Sequence, residues 1–214
     1  MKILASKWLR AAHVAIRSPA VAGLVVMGLL AVPLKAALLV VGAREVIAGA
    51  VTHDPDAAAE PDGYRIDDYR KPVPPTLKGA TALSSGDAMK VWSGKTAVFI
   101  DVYPHAPKPE NLPAGTLWRE TTHQTIEDAV WLPNVGYGVL SAANDQYFRR
   151  NLDALTKSDK AKPLVFFCLR NCWMSWNAAK RALSYGYTHV LWYRDGSDGW
   201  QEIGGLVVDV QPLP

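Results

Sequence analysis

The sequence predicts an α/β domain in which a parallel β-sheet is flanked by helices on both faces, preceded by an N-terminal signal or anchor segment. Three observations carry that expectation. Short continuous apolar runs alternate with stretches of helical spacing from Ala80 onward. The chain before Val51 is basic at its front and apolar behind. The two cysteines, Cys168 and Cys172, lie together where one apolar run gives way to a helical pattern.

Composition narrows the class. The chain has 214 residues, 49% hydrophobic and 20% charged, which is a globular rather than a disordered balance. The net charge of +3 is small, and much of the basic excess lies before Arg44. No basic stripe interleaved with aromatics follows, so nucleic acid is not expected as a partner. Two cysteines four positions apart cannot staple a small scaffold. The five histidines are scattered with no metal-ligand spacing, and no metal or resident cofactor is expected.

Residues 1–17 carry Lys2, Lys7, Arg10 and Arg17 and no acid; the apolar run Ser18 to Leu34 follows, then Lys35, then Ala36 to Ala43. That is the layout of a secretory signal, with Ala48-Gly49-Ala50 as a small-x-small cleavage site and Val51 as the new N-terminus. The alternative is an uncleaved anchor spanning Ser18 to Ala43, with Lys35 snorkelling to an interface. A soluble amphipathic segment is the third reading. Cleavage is preferred; in either of the first two cases the domain is exported, and the membrane is met only through this segment.

The domain plan is a signal or anchor over 1–50, an extended linker or arm over 51–79, and the α/β domain over 80–214. The arm is rich in Ala, Pro and Asp and holds Pro74-Pro75, with Tyr64 and Tyr69 available to pack onto the domain. Ala80 to Leu83 predicts a short strand. Ser84 to Trp92 predicts a helix capped through the Ser-x-x-Asp pattern. Ala97 to Val102 is a buried parallel strand ending near Asp101. A Pro-rich loop follows, and Glu127 to Pro133 reads as another strand. Asn144 to Leu155 is helical, because Tyr147, Phe148, Leu152 and Leu155 share one face. Pro163 to Phe167 is the strongest strand, Ser175 to Ser184 the strongest helix, and His189 to Tyr193 the closing strand, followed by a turn at Asp195-Gly196 and a helical turn around Trp200. Strands alternating with helices imply a parallel sheet, whose ligand site lies beyond the carboxyl ends of its strands.

That rule points to the junction from Phe167 to Trp173. A thiol at Cys168 would face loop amides and the positive end of the following helix, and both favour the thiolate. Arg170 adds a positive charge two residues on, and Leu169, Asn171 and Trp173 would wall the pocket. Asp101 either orients this loop or caps a helix. A cysteine phosphatase would need Arg six positions after the nucleophile, where Met174 stands; a thioredoxin-type motif has two intervening residues rather than three. The bland alternative is that both cysteines are inert core residues.

These stretches resemble the rhodanese homology domain. Phe99-Ile-Asp-Val102 is similar to its first core strand, and Ile126 to Pro133 to its I-x-G-A-x-x-x-P segment. Leu164-Val-Phe-Phe-Cys168 corresponds to the active strand and nucleophile, and Trp192 through Gly204 to the closing element. The resemblance runs over about Ala80 to Val208. A narrower resemblance, to the PQQ-dependent catabolism-associated CXXCW motif proteins, rests on Pro61-Asp-Gly-Tyr-Arg65, Asp67-Asp-Tyr-Arg70 and Cys168-Leu-Arg-Asn-Cys-Trp-Met-Ser-Trp-Asn177. It implies a periplasmic rhodanese-like fold in bacteria that oxidise alcohols with quinoprotein dehydrogenases. The sequence departs from the common sulfurtransferase pattern in its second loop cysteine and in a loop poorer in Gly, Arg and Lys.

Three functions stay open at this point. The first is sulfane-sulfur transfer through a transient Cys168 persulfide, with a small sulfur donor and acceptor. The second is thiol–disulfide exchange in which Cys172 resolves Cys168, with a thiol redox partner. The third is a non-catalytic accessory module of a periplasmic quinoprotein dehydrogenase system.

Overall fold

The longest apolar runs form the middle of a sheet. In the computed structural model, which describes residues 58–106, 111–117 and 122–214, the chain forms β1 (Thr81–Leu83), α1 (Ser85–Ser93), β2 (Val98–Asp101), β3 (His123–Ile126), β4 (Val130–Trp131), α2 (Ala142–Thr156), β5 (Leu164–Phe167), α3 (Trp173–Ser184), β6 (Val190–Tyr193), α4 (Gly196–Glu202) and β7 (Val207–Val210). The leader, its cleavage motif and the start of the arm lie outside the described residues. Among the described residues no helix is long and apolar enough to cross a membrane.

Five strands make one parallel sheet in the order β1-β6-β5-β2-β4. Its central strand, β5, is buried along its whole length, because a strand covered on both faces has no solvent side on which to alternate. Successive side chains point to opposite faces and divide the core in two. Ile100, Leu164, Phe166, Val190 and Trp192 pack against α2 and α3 through Phe148, Leu152, Trp176 and Ala179. Phe99, Val165, Phe167, Leu191 and Tyr193 pack on the other face with Ala88 of α1, Trp200 of α4 and Ile126. The expected parallel sheet with helices on both faces is therefore present.

The registers bring Leu83, Tyr193, Phe167, Asp101 and Trp131 level with one another, one residue from each strand, along the carboxyl edge. Everything that follows β2 and β5 emerges at that edge.

Two strands were not expected. β3 and β7 pair antiparallel as a separate ribbon, His123 opposite Val210 and Ile126 opposite Val207. Neither is buried along its whole length: Ile126 and Val207 tie one end of the ribbon to the core, while Gln124 and Asp209 are exposed and are joined by the ladder alone. The strand expected over Glu127 to Pro133 shrinks to Val130–Trp131. Asp128 takes a left-handed conformation (φ 65°), and Ala129 N–H turns back to the Ile126 carbonyl.

The helix starts follow local chemistry. Ser84 caps α1 by accepting from Asp87 N–H at 3.1 Å, while its hydroxyl donates to the Asp87 carboxylate at 2.7 Å. Ser141 caps α2 in the same way through Asn144 N–H at 3.2 Å.

The arm is fixed by backbone groups. Buried Asn177 of α3 accepts from Arg65 N–H at 2.9 Å and donates to the carbonyls of Arg65 at 2.8 Å and Gly136 at 2.9 Å. Tyr69 gives its carbonyl to Trp173 N–H, its ring to Tyr137 edge-on at 5.5 Å, and its hydroxyl oxygen to Gly138 N–H. Val73 and Leu77 enter the core beside α3. Tyr64 and Tyr69 do meet the domain, with the Arg181 guanidinium 4.3 Å from the Tyr64 ring.

Three carboxylates paired on the surfaces of α1 and α2 contribute to an acid limit. Asp87 is held below the ordinary aspartate value of 3.8 by hydrogen bonds from Ser84 and Lys90, Asp145 by Tyr185 and Arg149, and Asp153 by Lys160. A depressed folded-state value means that the unfolded chain binds more protons in that range, so the stabilisation is complete above the ordinary value and is lost as the pH falls through the folded one. Melting temperature should therefore drop on going from about pH 5 to about pH 3. Because all three sites are solvated, high salt should reduce the drop. An Asp145→Asn variant should be less stable at neutral pH and show a flatter acid limb.

Candidate active site

Cys168 follows the last residue of β5 directly, and Cys172 occupies the N-cap of α3. The three residues between them reverse the chain through Asn171, which is left-handed at φ 56°, a conformation asparagine tolerates better than most residues. The reversal brings the Cα atoms of the two cysteines to 6.2 Å, and their sulfurs are joined in a disulfide. Cys168 is fully buried and Cys172 is 2% exposed, both within the core on the α2/α3 face.

The loop is held from three sides. The Cys168 carbonyl accepts from Ser197 N–H at 2.9 Å, at the start of α4. Arg170 N–H donates to the Asp198 carboxylate at 3.0 Å. Trp173 N–H, at the first position of α3, donates to the Tyr69 carbonyl of the arm at 2.9 Å. The Cys172 carbonyl accepts from the Ser175 hydroxyl, which itself accepts from Trp192 Nε1 at 3.0 Å. Two N–H groups that a loop of this kind would turn toward an anion, those of Arg170 and Trp173, are thus taken by the protein's own acceptors.

Arg170 is similarly engaged. Its guanidinium makes a two-pronged pair with Glu202, at 2.6 and 2.5 Å, and Asp195 lies 3.8 Å from its Nε. The Glu202 bonds raise the affinity of Arg170 for its proton, and Arg170 in turn holds Glu202 below its ordinary value. Its charge is matched locally rather than projected at the sulfurs. Replacing Arg170 by alanine should therefore change the alkylation rate of the reduced cysteines less than about threefold, whereas Glu202→Gln, which frees the guanidinium, should raise it by up to about fivefold. A tenfold slowing in Arg170→Ala would show that the guanidinium acts on the thiolate directly.

The hydrogen bonds of Asp101 go neither to the cysteine loop nor to a helix N-terminus. Fully buried at the end of β2, its carboxylate accepts from Tyr103 N–H at 2.8 Å and from the Thr125 hydroxyl at 2.6 Å, and pairs with His123 Nε2 at 2.7 Å. The His123 ring lies between Tyr103, stacked at 4.7 Å, and Trp131, tilted at 4.7 Å. This cluster sits at the carboxyl edge, next to the strand that carries Cys168. His123 and Thr125 escape sequence reasoning because they lie more than twenty positions from Asp101, in a strand with no apolar run.

Leu169 is half-buried and Asn171 exposed. A cavity of about 250 Å³ opens beside the loop, lined by Arg170, Asn171, Val73, Arg194 and Asp195. Arg194, the first residue after β6, was not anticipated in this place. Trp173 faces elsewhere: it lines a second cavity of about 250 Å³ with arm residues between Ala58 and Asp67, packs edge-on against Trp176 at 5.4 Å, and lies 5.5 Å from the Arg65 guanidinium. Among the described residues its indole nitrogen is the one buried side-chain polar atom without a hydrogen-bond partner.

No family profile matches the chain, and no curated protein does. Among solved structures it is similar to a thiosulfate sulfurtransferase from Pseudomonas aeruginosa, at 15% identity and a TM-score of 0.43, covering 62% of this chain and 21% of that one. It is also similar to the polysulfide-sulfur transferase homodimer from Wolinella succinogenes, at 20% identity and TM-score 0.38, covering 62% of this chain and 81% of that one. An uncharacterized protein from Saccharomyces cerevisiae matches at 18% identity and TM-score 0.36, over 58% of this chain and 93% of its own. The chain thus spans about a fifth of the length of the Pseudomonas protein.

Proposed function

We propose that the protein is a rhodanese-like, thiol-active domain of the periplasm that takes a sulfane sulfur onto Cys168 and uses Cys172 as the partner thiol. The observation that carries the reading is the Cys168–Cys172 bond itself, set at the carboxyl edge of a parallel sheet between a strand and a helix. Both cysteines are confined to that turn, the place where such sheets do their chemistry. The pair spans only three intervening residues, so it pins no distant elements together. The residue strings shared with rhodanese domains assign the sulfur to Cys168. The string from Cys168 to Asn177 adds the association with PQQ-dependent alcohol oxidation, and the basic-then-apolar leader adds export.

The arrangement also supports a second reading, exchange with disulfides without sulfane sulfur. Its support is specific: the loop amides of Arg170 and Trp173 are occupied and Arg170 is neutralised, which leaves a dianionic donor such as thiosulfate poorly served.

Single-turnover release of benzenesulfinate from benzenethiosulfonate separates the two. Reduced wild type and Cys172→Ser should each release about one equivalent, and Cys168→Ser none. Release of none by any form, together with rapid exchange of the wild type with a small disulfide, would replace sulfur transfer by the second reading.

A further inference from the structure

We infer that Cys172 discharges the sulfur carried on Cys168 as sulfide, so that the site reduces sulfane sulfur rather than handing it on, and that its partner is a thiol reductant. The inference rests on the proposed sulfur loading of Cys168. It follows from where the structure puts the second cysteine.

The backbone already holds the two sulfurs at bonding distance, with the Cα atoms 6.2 Å apart. A persulfide on Cys168 therefore forms with a thiol poised beside its inner sulfur. Cys172 is also the residue at the N-cap of a twelve-residue helix, and its side chain caps nothing. The pair is enclosed, Cys168 fully and Cys172 98% buried, so any external donor or acceptor has to gain access to a covered sulfur, whereas Cys172 is beside it from the start. Effective molarities of well-placed internal groups reach on the order of 10⁵ M, far above the concentration of any dissolved acceptor.

The steps balance. Loading breaks the S–S bond of the donor: the Cys168 thiolate takes the sulfane sulfur, and the sulfinate or thiol leaves with the bonding pair. In discharge, the Cys172 thiolate attacks Cys168 Sγ. The Sγ–Sγ bond forms, the bond from Cys168 Sγ to the outer sulfur breaks, and that sulfur leaves with the electron pair as sulfide, taking a proton from water. The two cysteine sulfurs give up the two electrons that the sulfane sulfur gains. Two equivalents of a thiol, or one dithiol, then reopen the disulfide and are themselves oxidised to a disulfide.

Benzenethiosulfonate tests this cleanly, because loading releases only the sulfinate and any sulfide must come from discharge. Reduced wild type mixed with it in the absence of other thiols should release about one equivalent of sulfide and return to the mass of the disulfide form. Cys172→Ser, checked against Cys172→Ala in case one folds poorly, should keep the added sulfur at least about tenfold longer and give no sulfide until a thiol is added. A wild type that holds the added sulfur as long as the variants, without sulfide, would overturn the inference while leaving sulfur loading intact. Failure of every form to take up sulfur would overturn the loading, and the inference with it.

Discussion

Gly196→Ala should lower the stability of the domain by about 3–5 kcal/mol and cut sulfur uptake by the reduced protein more than tenfold. Gly196 opens α4 at φ 57°, and a Cβ built there stands 2.2 Å from the Cys168 carbonyl oxygen and 2.8 Å from the Leu169 carbonyl carbon. Both neighbours are backbone of the loop, so no side chain can swing aside. The loop or the start of α4 has to move, and the Ser197 N–H bond to the Cys168 carbonyl goes with it. The left-handed conformation adds a separate penalty for any residue with a Cβ. Thermal melts would read the first effect and single-turnover sulfinate release the second. An alanine variant with unchanged stability would mean that the contact between α4 and the loop is looser than described.

Asn177→Ala should cost about 3 kcal/mol and release the arm. Asn177 is fully buried, and three backbone groups depend on it: Arg65 N–H, the Arg65 carbonyl and the Gly136 carbonyl. Alanine leaves these groups unpaired in an enclosed place, where each loses its partner without full access to water. Detachment of the arm frees the Tyr69 carbonyl from Trp173 N–H and uncovers the first turn of α3, next to Cys172. Tryptic cleavage after Arg65 and Arg70 should speed up in the variant at temperatures well below its melting point. Equal cleavage rates in variant and wild type would show that the arm is held by Val73 and Leu77 alone.

How much of this was legible in the sequence follows from what each element depends on. β2, β5 and β6 are continuous apolar runs, because the sheet they build is buried on both faces, and α2 shows its apolar stripe at Phe148 and Leu152. The order of these elements located the cysteine turn at the carboxyl edge. β3 and β7 were not legible: Gln124 and Asp209 face solvent, and the ribbon is held by pairing across more than eighty positions. The anchoring of the arm depends on the backbone of Arg65 and Tyr69, which no residue type announces. Arg170 reads as a charge for the thiolate until the fold brings Glu202, thirty-two positions on, against it. Asp101 was visible as an acid closing a strand, but its partners His123 and Thr125 belong to the unanticipated ribbon.

Acceptance of a sulfane sulfur by Cys168 is tested most directly by peptide mass spectrometry of the Cys172→Ser protein after reduction, loading with benzenethiosulfonate and alkylation. The expected result is one additional sulfur atom on the peptide that contains Cys168 and none elsewhere, with Cys168→Ser carrying none. An unmodified Cys168 peptide from a folded variant, or the added sulfur found on Cys172 in Cys168→Ser protein at equal yield, would contradict the assignment.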